Sequence, residues 1–339
     1  MIQLDYQLEL QYQARSRSDF VLNICPARTR SQRVLNESFS VEGATPSYTF
    51  TEPATANRIN RLYSEGGLVT IRYRSTVEMD HVLVDPATVD ERAMRSMPSE
   101  VLQYVSPSRY CQSDKMRDMA VAMFGNAAPG YERVASICDW VTQHVRFKPS
   151  ASNLTACAME TFVSRVGVCR DYAHLMISIC RALNIPARYV TSVDYGVGAS
   201  HGPADFHACV EVFMGYRWYL FDPSGLSEVL GLIRIGTGCD AADTSIANVF
   251  GSVQSMRPKV SIKRLSKQEV ELSGLTTAKK AISTAAESLA FAPPLSPLSP
   301  LSTASPVPSV PETQVSSPTI PGYMFGRPAS PAFHTPQAA

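Results

Sequence analysis

Three residues of this 339-residue chain have the types and surroundings for nucleophilic acyl transfer: Cys169, His207 and Asp222. Cys169 follows Gly167–Val168 and heads a mostly apolar run, CRDYAHLMISICRALNIPARYV. A thiol at a helix N-terminus meets unpaired backbone N–H groups and the positive end of the helix dipole. Both favour the thiolate, which is the nucleophile. The same N–H groups are oriented to stabilise an oxyanion when a carbonyl is attacked. A thiol nucleophile needs a base, and the base needs an orienter. DFHACVEV offers His207 at the start of a strand, and RWYLFDPSG offers Asp222 at the end of the next. With Gly215–Tyr216 as a two-residue hairpin turn, Met214 faces Arg217 and Cys209 faces Asp222. His207 and Asp222 then share a sheet face as diagonal neighbours, roughly 7 Å apart at the backbone, which side chains can span. Taken singly the residues have plainer readings. A helix-starting cysteine packs as a small residue, His207 fits a satisfied core histidine, and Asp-Pro-Ser-Gly is an ordinary turn sequence.

The elements that must position these groups are legible in part. At about 100° per residue, Tyr172, Ala173, Met176, Ile179, Cys180 and Leu183 cluster on one side of a helix that begins at Cys169. Arg170, Asp171, His174, Ser178 and Arg181 point the other way, and Pro186 ends the helix. Asp171 suits the first turn as an acceptor of a helix-start N–H. His174 lies about 140° around the helix from Cys169; it suits a structural hydrogen bond and not the role of base. ARYVTSVDYG, DFHACVEVFM and RWYLFDPSG read as strands. Upstream, a helix is expected from Asp114 and another over YERVASICDWVTQHVRF, where Val134, Ile137, Cys138, Val141 and Val145 follow helical spacing. GLIRIGTGCDAADTSIANVFGS reads as loop then helix, with Asp240 as the helix cap. Its GxG is a weak phosphate signal. PKVSIKRL reads as a last strand.

The ordered set GVCRDYAHLMISICRALNIPARYV and DFHACVEVFMGYRWYLFDPSG resembles the core of the transglutaminase-like superfamily, in its bacterial branch of cysteine peptidases. The matching pieces are a GxC helix start, an IPAR exit, an HA-x-VEV strand and a W-x-x-FDP strand, over about residues 115–255. The resemblance implies an α+β, papain-like core whose triad is Cys169, His207 and Asp222. It also implies a peptide or protein amide substrate and no cofactor or metal. It implies hydrolysis through a thioester; an amine acceptor would make the chain a transglutaminase, and loss of turnover a binding module of the same fold. The sequence departs at Cys209, where many members have Trp. No side-chain oxyanion donor is identifiable, which leaves the backbone N–H of Cys169.

Residues 1–85 read as a β-rich, sandwich-like domain. IQLDYQLELQY and LVTIRYRSTVEM alternate, and SFSVEG and SYTFTEP are shorter runs between turn residues. Residues 86–114 connect it to the core, 115–272. Half of the 24 prolines lie beyond residue 290, where PLSPLSPLS repeats. Residues 273–339 therefore read as a disordered Pro/Ser-rich tail, a candidate ligand for an SH3-like protein partner. The net charge of +1 gives no footprint for nucleic acid or an anionic membrane. No apolar run approaches a membrane span of ~18 residues, and no apolar leader is visible. The eight cysteines form no CxxC pair, and they read as reduced thiols of a cytoplasmic protein. His201 lies in a Gly-rich loop six residues before His207, and a metal pair there is disfavoured.

Overall fold

In the computed structural model the alternation of IQLDYQLELQY becomes a strand, β1 (Ile2–Ala14), that buries Leu4, Tyr6, Leu8, Leu10 and Tyr12. The structure describes residues 2–149, 155–195, 205–227, 229–265 and 280–283, all within one compact unit, Met1–Pro294. Next come β2 (Ser18–Leu22), β3 (Gln32–Glu42), β4 (Thr45–Thr51), β5 (Arg58–Ser64), β6 (Gly67–Met79) and the short β7 (Val82–Val84). The middle of the chain holds α1 (Arg117–Phe124), α2 (Tyr131–His144), β8 (Arg146–Phe147), α3 (Ala158–Ser164), β9 (Val166–Gly167) and α4 (Cys169–Ala182). Then follow β10 (Ala187–Asp194), β11 (Phe206–Met214), β12 (Arg217–Phe221), β13 (Leu232–Gly238), β14 (Ala247–Phe250), β15 (Val253–Ser255), β16 (Lys259–Arg264) and β17 (Ala281–Ser283).

Two sheets face each other across an apolar core at the N-terminal end. One runs β15-β1-β6-β3, with β16 also on β1; the other runs β14-β2-β5-β4. This is the expected sandwich, but it is not built from residues 1–85 alone. β14, β15 and β16 return from beyond the core segment to complete it. Segment 232–250, read from sequence as loop then helix, is strand, turn and strand. β13 is buried at every position, so the period-two signal of a half-exposed strand is missing. Its glycines also hide it. A Cβ at Gly236 would lie 2.6 Å from Asn23 Nδ2, so the small residue is what lets the two segments pack. With no helix there, Asp240 caps none. Its carboxylate accepts from the backbone N–H groups of Tyr110 and Ala242 instead, both at 2.9 Å.

The central sheet runs β12-β11-β10-β13. The hairpin turn is the two-residue one expected: Met214 pairs with Arg217 and Val210 with Phe221. Both turn residues have positive φ, Gly215 at 51° and Tyr216 at 64°, the type I′ geometry that matches strand twist. α4 packs on this sheet, and α2 buries Val134, Ile137, Cys138 and Val141 as its spacing predicts. α1 starts at Arg117, after a short 3-10 turn that takes up Asp114.

The supposed polar face of α4 is also buried, because Arg181 and His174 find partners outside the helix and Ser178 Oγ donates to the His174 carbonyl within it. Arg181 donates to the carbonyls of Ala187, Ser106 and Cys239 and to Ser108 Oγ. His174 Nε2 accepts the Ala241 N–H at 3.2 Å. A helix apolar or satisfied all round belongs in an interior. Truncating a side chain such as Met176, fully buried here, costs roughly 2–5 kcal/mol. Ala281–Ser283, placed by sequence in the tail, pairs with β7, and Ser283 Oγ donates to the Trp218 carbonyl. The remainder of the tail's described residues is Lys280 alone; the proline repeats and His201 lie outside the described residues.

Candidate active site

GVCRD is one local device. Gly167 ends β9, whose parallel pairing with β8 anchors the approach to α4. The Asp171 side chain folds back so that its Oδ2 accepts the Val168 N–H at 2.8 Å. It occupies the space a side chain at 167 would need: a Cβ there would lie 2.6 Å from Asp171 Cβ. The glycine thus makes room for the cap, and the cap fixes where the helix starts. Cys169 is the first helical residue and is half-buried.

His207 enters from the start of β11, paired with Ser192 of β10. It is 8% exposed, and its Nε2 lies 3.2 Å from Asp222 Oδ1. Cys169 and the same imidazole line the same two clefts, and the thiol is one of the groups that raise the imidazole. Asp222 leaves β12 into the DPSG turn and is 7% exposed. Its Oδ1 accepts from Ser224 N–H at 3.0 Å and Ser224 Oγ at 2.7 Å, and its Oδ2 accepts from Ser227 N–H at 2.9 Å. The turn chemistry and the contact to the histidine are therefore not rival readings; one carboxylate does both. All three sequence-predicted residues come together.

Burial disfavours the charged form of His207, but Asp222 and then Cys169 outweigh it and push the imidazole well above its ordinary value. Burial would also push the Asp222 carboxyl up. The His207 charge and the Ser224 and Ser227 donors outweigh that, and the carboxyl stays below the usual carboxylate range. Other thiols differ in setting. Burial pushes Cys25 up to about 11 and Cys111 up to about 12, and drives Cys138, Cys180 and Cys209 upward too. Cys209 is fully buried with Ser192 Oγ 3.8 Å from its sulfur.

Two clefts share Cys169, Phe206 and His207 and otherwise have different walls. The larger, about 690 Å³, brings in Arg170 and Tyr189 and also Tyr12 of β1 and Val249 of β14. The smaller, about 420 Å³, is bounded by Phe147, Val168, Asp194, Leu226 and Arg257. Sequence reasoning misses Tyr189, which the IPARYV strand turns toward the thiol's cleft. It also misses the wall from residues 246–258, whose signal is the Ala247, Val249, Val253 alternation. Among the described residues no group of three or more His, Cys, Asp or Glu is arranged to hold a metal ion, and no helix is long and apolar enough to cross a membrane.

With strand-rich N-terminal region, helix-borne cysteine and hairpin-borne histidine and aspartate in place, the chain belongs to the transglutaminase-like superfamily. Residues 117–223 match the core of that superfamily, and residues 3–100 match the N-terminal domain of bacterial transglutaminases. A solved structure of a candidate cysteine protease from Cytophaga hutchinsonii is 32% identical, with a TM-score of 0.76. The match covers 83% of this chain and 97% of that one. An uncharacterized protein of Mycobacterium leprae is 24% identical over 237 residues, 65% of this chain and 81% of its own.

Proposed function

We propose that the chain is a cysteine peptidase or amidase that works through Cys169, His207 and Asp222. The observation that carries this is the position of His207, with its Nε2 3.2 Å from Asp222 Oδ1 and its ring lining the same clefts as Cys169. The likeness to the candidate cysteine protease of Cytophaga hutchinsonii agrees with it. His207 takes the thiol proton, and an imidazolium beside the sulfur favours the ion pair from which Cys169 attacks. Sγ bonds to the amide carbonyl carbon while the Cys169 N–H faces the developing oxyanion. The C–N bond breaks as His207 returns the proton to the departing amine. Water, deprotonated by His207, then cleaves the thioester and regenerates the thiol. Asp222 keeps the imidazole oriented throughout. The cytoplasmic location is part of this reading, and it is supported by eight free cysteines.

The test is alkylation of the full chain by iodoacetamide at pH 6, followed by peptide mapping. Cys169 is expected to label at least tenfold faster than the same cysteine in the denatured chain. Equal rates would sink the activated thiol. Incubation with a peptide library, with and without a primary amine, then separates hydrolysed products from amine adducts.

A further inference from the structure

The larger cleft is half catalytic segment and half sandwich. Its catalytic side carries Cys169, His207 and Arg170. Its other side is the open end of the sandwich, where β1 of one sheet faces β14 of the other. Leu10 and Tyr12 come from β1, Ile246 and Val249 from the entry to β14 and from β14 itself, and Val253 and Met256 from β15 and its exit. Tyr12 packs at 5.3 Å on Phe20 of β2 across the sandwich, so the recess has a fixed aromatic floor. β15 is tied down by pairing with Tyr12–Ala14 and by the Met256 N–H donating to the Gln11 carbonyl at 2.9 Å. β14 and β15 belong to different sheets and are joined by a turn through Gly251 at φ +147°. A Cβ there would lie 2.3 Å from Ser18 Oγ, so the crossing that shapes the recess requires glycine.

An apolar recess that opens beside a nucleophile needs a hydrophobic occupant to desolvate it. The second cleft, with its separate walls, shares the thiol and imidazole. The two clefts meet at Cys169, Phe206 and His207 and lead away from them along different walls, an arrangement suited to a polymer with residues on both sides of the attacked bond. We infer that the sandwich forms a side-chain subsite: the substrate is a polypeptide that seats a large apolar residue, flanking the attacked amide, between Tyr12, Val249 and Met256. This rests on the peptidase reading above and names its substrate class. The N-terminal region is thereby a specificity element of the cleft.

The experiment uses the full chain carrying Cys169→Ala, so that peptides bind without turnover. Fluorescein-labelled decapeptides of Gly and Ser, with one central Phe, Leu, Gly or Asp, are titrated by polarisation. Phe and Leu peptides are expected to bind at least tenfold more tightly than the Gly and Asp peptides. That preference is expected to shrink below twofold on adding Met256→Asp, at a 42% exposed position that tolerates charge. Val249→Thr, which keeps the volume, is expected to reduce it by an intermediate factor. Equal affinities across the four peptides, or a preference unchanged by both substitutions, overturns the subsite. The two readings fail separately. Fast alkylation of Cys169 in the wild-type chain without an apolar preference removes the subsite alone. Slow alkylation with the preference intact removes the triad alone.

Discussion

His207 and His174 are both buried histidines close to an acid, and their surroundings drive them in opposite directions. His174 is 0% exposed, stacked 5.0 Å from Tyr110 and tilted 5.2 Å from Tyr189. Burial pulls it down to about 3; Asp240 opposes this, while Arg170 and Arg181 add to it. His207 has the Asp222 carboxylate and the Cys169 thiol at its two sides and is pushed well up. Burial penalises both imidazolium forms, so burial does not separate a structural histidine from a reactive one. What separates them is the balance of neighbouring charge: Arg170 and Arg181 work against Asp240 at His174, whereas Asp222 and Cys169 both raise His207. His174 is held neutral as an acceptor for Ala241 N–H; His207 is held ready to carry a proton.

Four substitutions break or sharpen that contrast. Cys169→Ala should lower peptide turnover most, by about 10⁴-fold or more, read as initial rates with the fold checked by circular dichroism. Asp222→Asn should come next, with about 10³-fold lost as the imidazole loses its orienting carboxylate; an activity within threefold of wild type would remove Asp222 from the mechanism. His174→Phe should leave turnover within a few-fold but change the pH dependence of stability. Between about 6.5 unfolded and about 3 folded, the unfolded chain binds a proton that the folded chain does not. Stability from this group is therefore present above about 6.5 and lost as the pH falls. At pH 5 the loss is about 2 kcal/mol relative to pH 7, and the Phe variant should lack it in urea unfolding at the two pH values. Ser224→Ala should have the smallest effect. It removes one of the donors on Asp222, worth about 1 kcal/mol, or about a fivefold change in kcat/KM.

The candidate site is largely legible in the sequence because its geometry is local in the relevant sense. One helix start and one two-residue hairpin fix Cys169, His207 and Asp222, and parity along two strands is countable on paper. The misreadings share a cause. The polar side of α4 reads as a solvated face, yet Arg181 and His174 are satisfied by Ser106, Ser108, Cys239 and Ala241. Nothing in the helix sequence announces partners that far away. β13 escapes a periodicity reading because it is covered on both sides and thinned by Gly236 and Gly238. The sandwich is recognisable from its first strands, and PKVSIKRL is legible as the strand that becomes β16, but that β14, β15 and β16 join this sandwich depends on sheet pairing across the whole chain, which hydrophobic period cannot report.

That late return of β14, β15 and β16 has a consequence for how the protein is made. Leu22 waits for Ala247, and Tyr12 waits for Ser255. At ordinary synthesis speeds the delay is on the order of ten seconds or more. During it, the outer edges of β1 and β2 carry unpaired N–H and C=O groups on a nascent chain, a template for pairing with the wrong neighbour. Excising residues 1–85 as a free module would make that exposure permanent. The smallest piece expected to stay soluble therefore runs through Ser283, whose strand also covers β7, and chaperone dependence during synthesis should fall once that residue has cleared the ribosome.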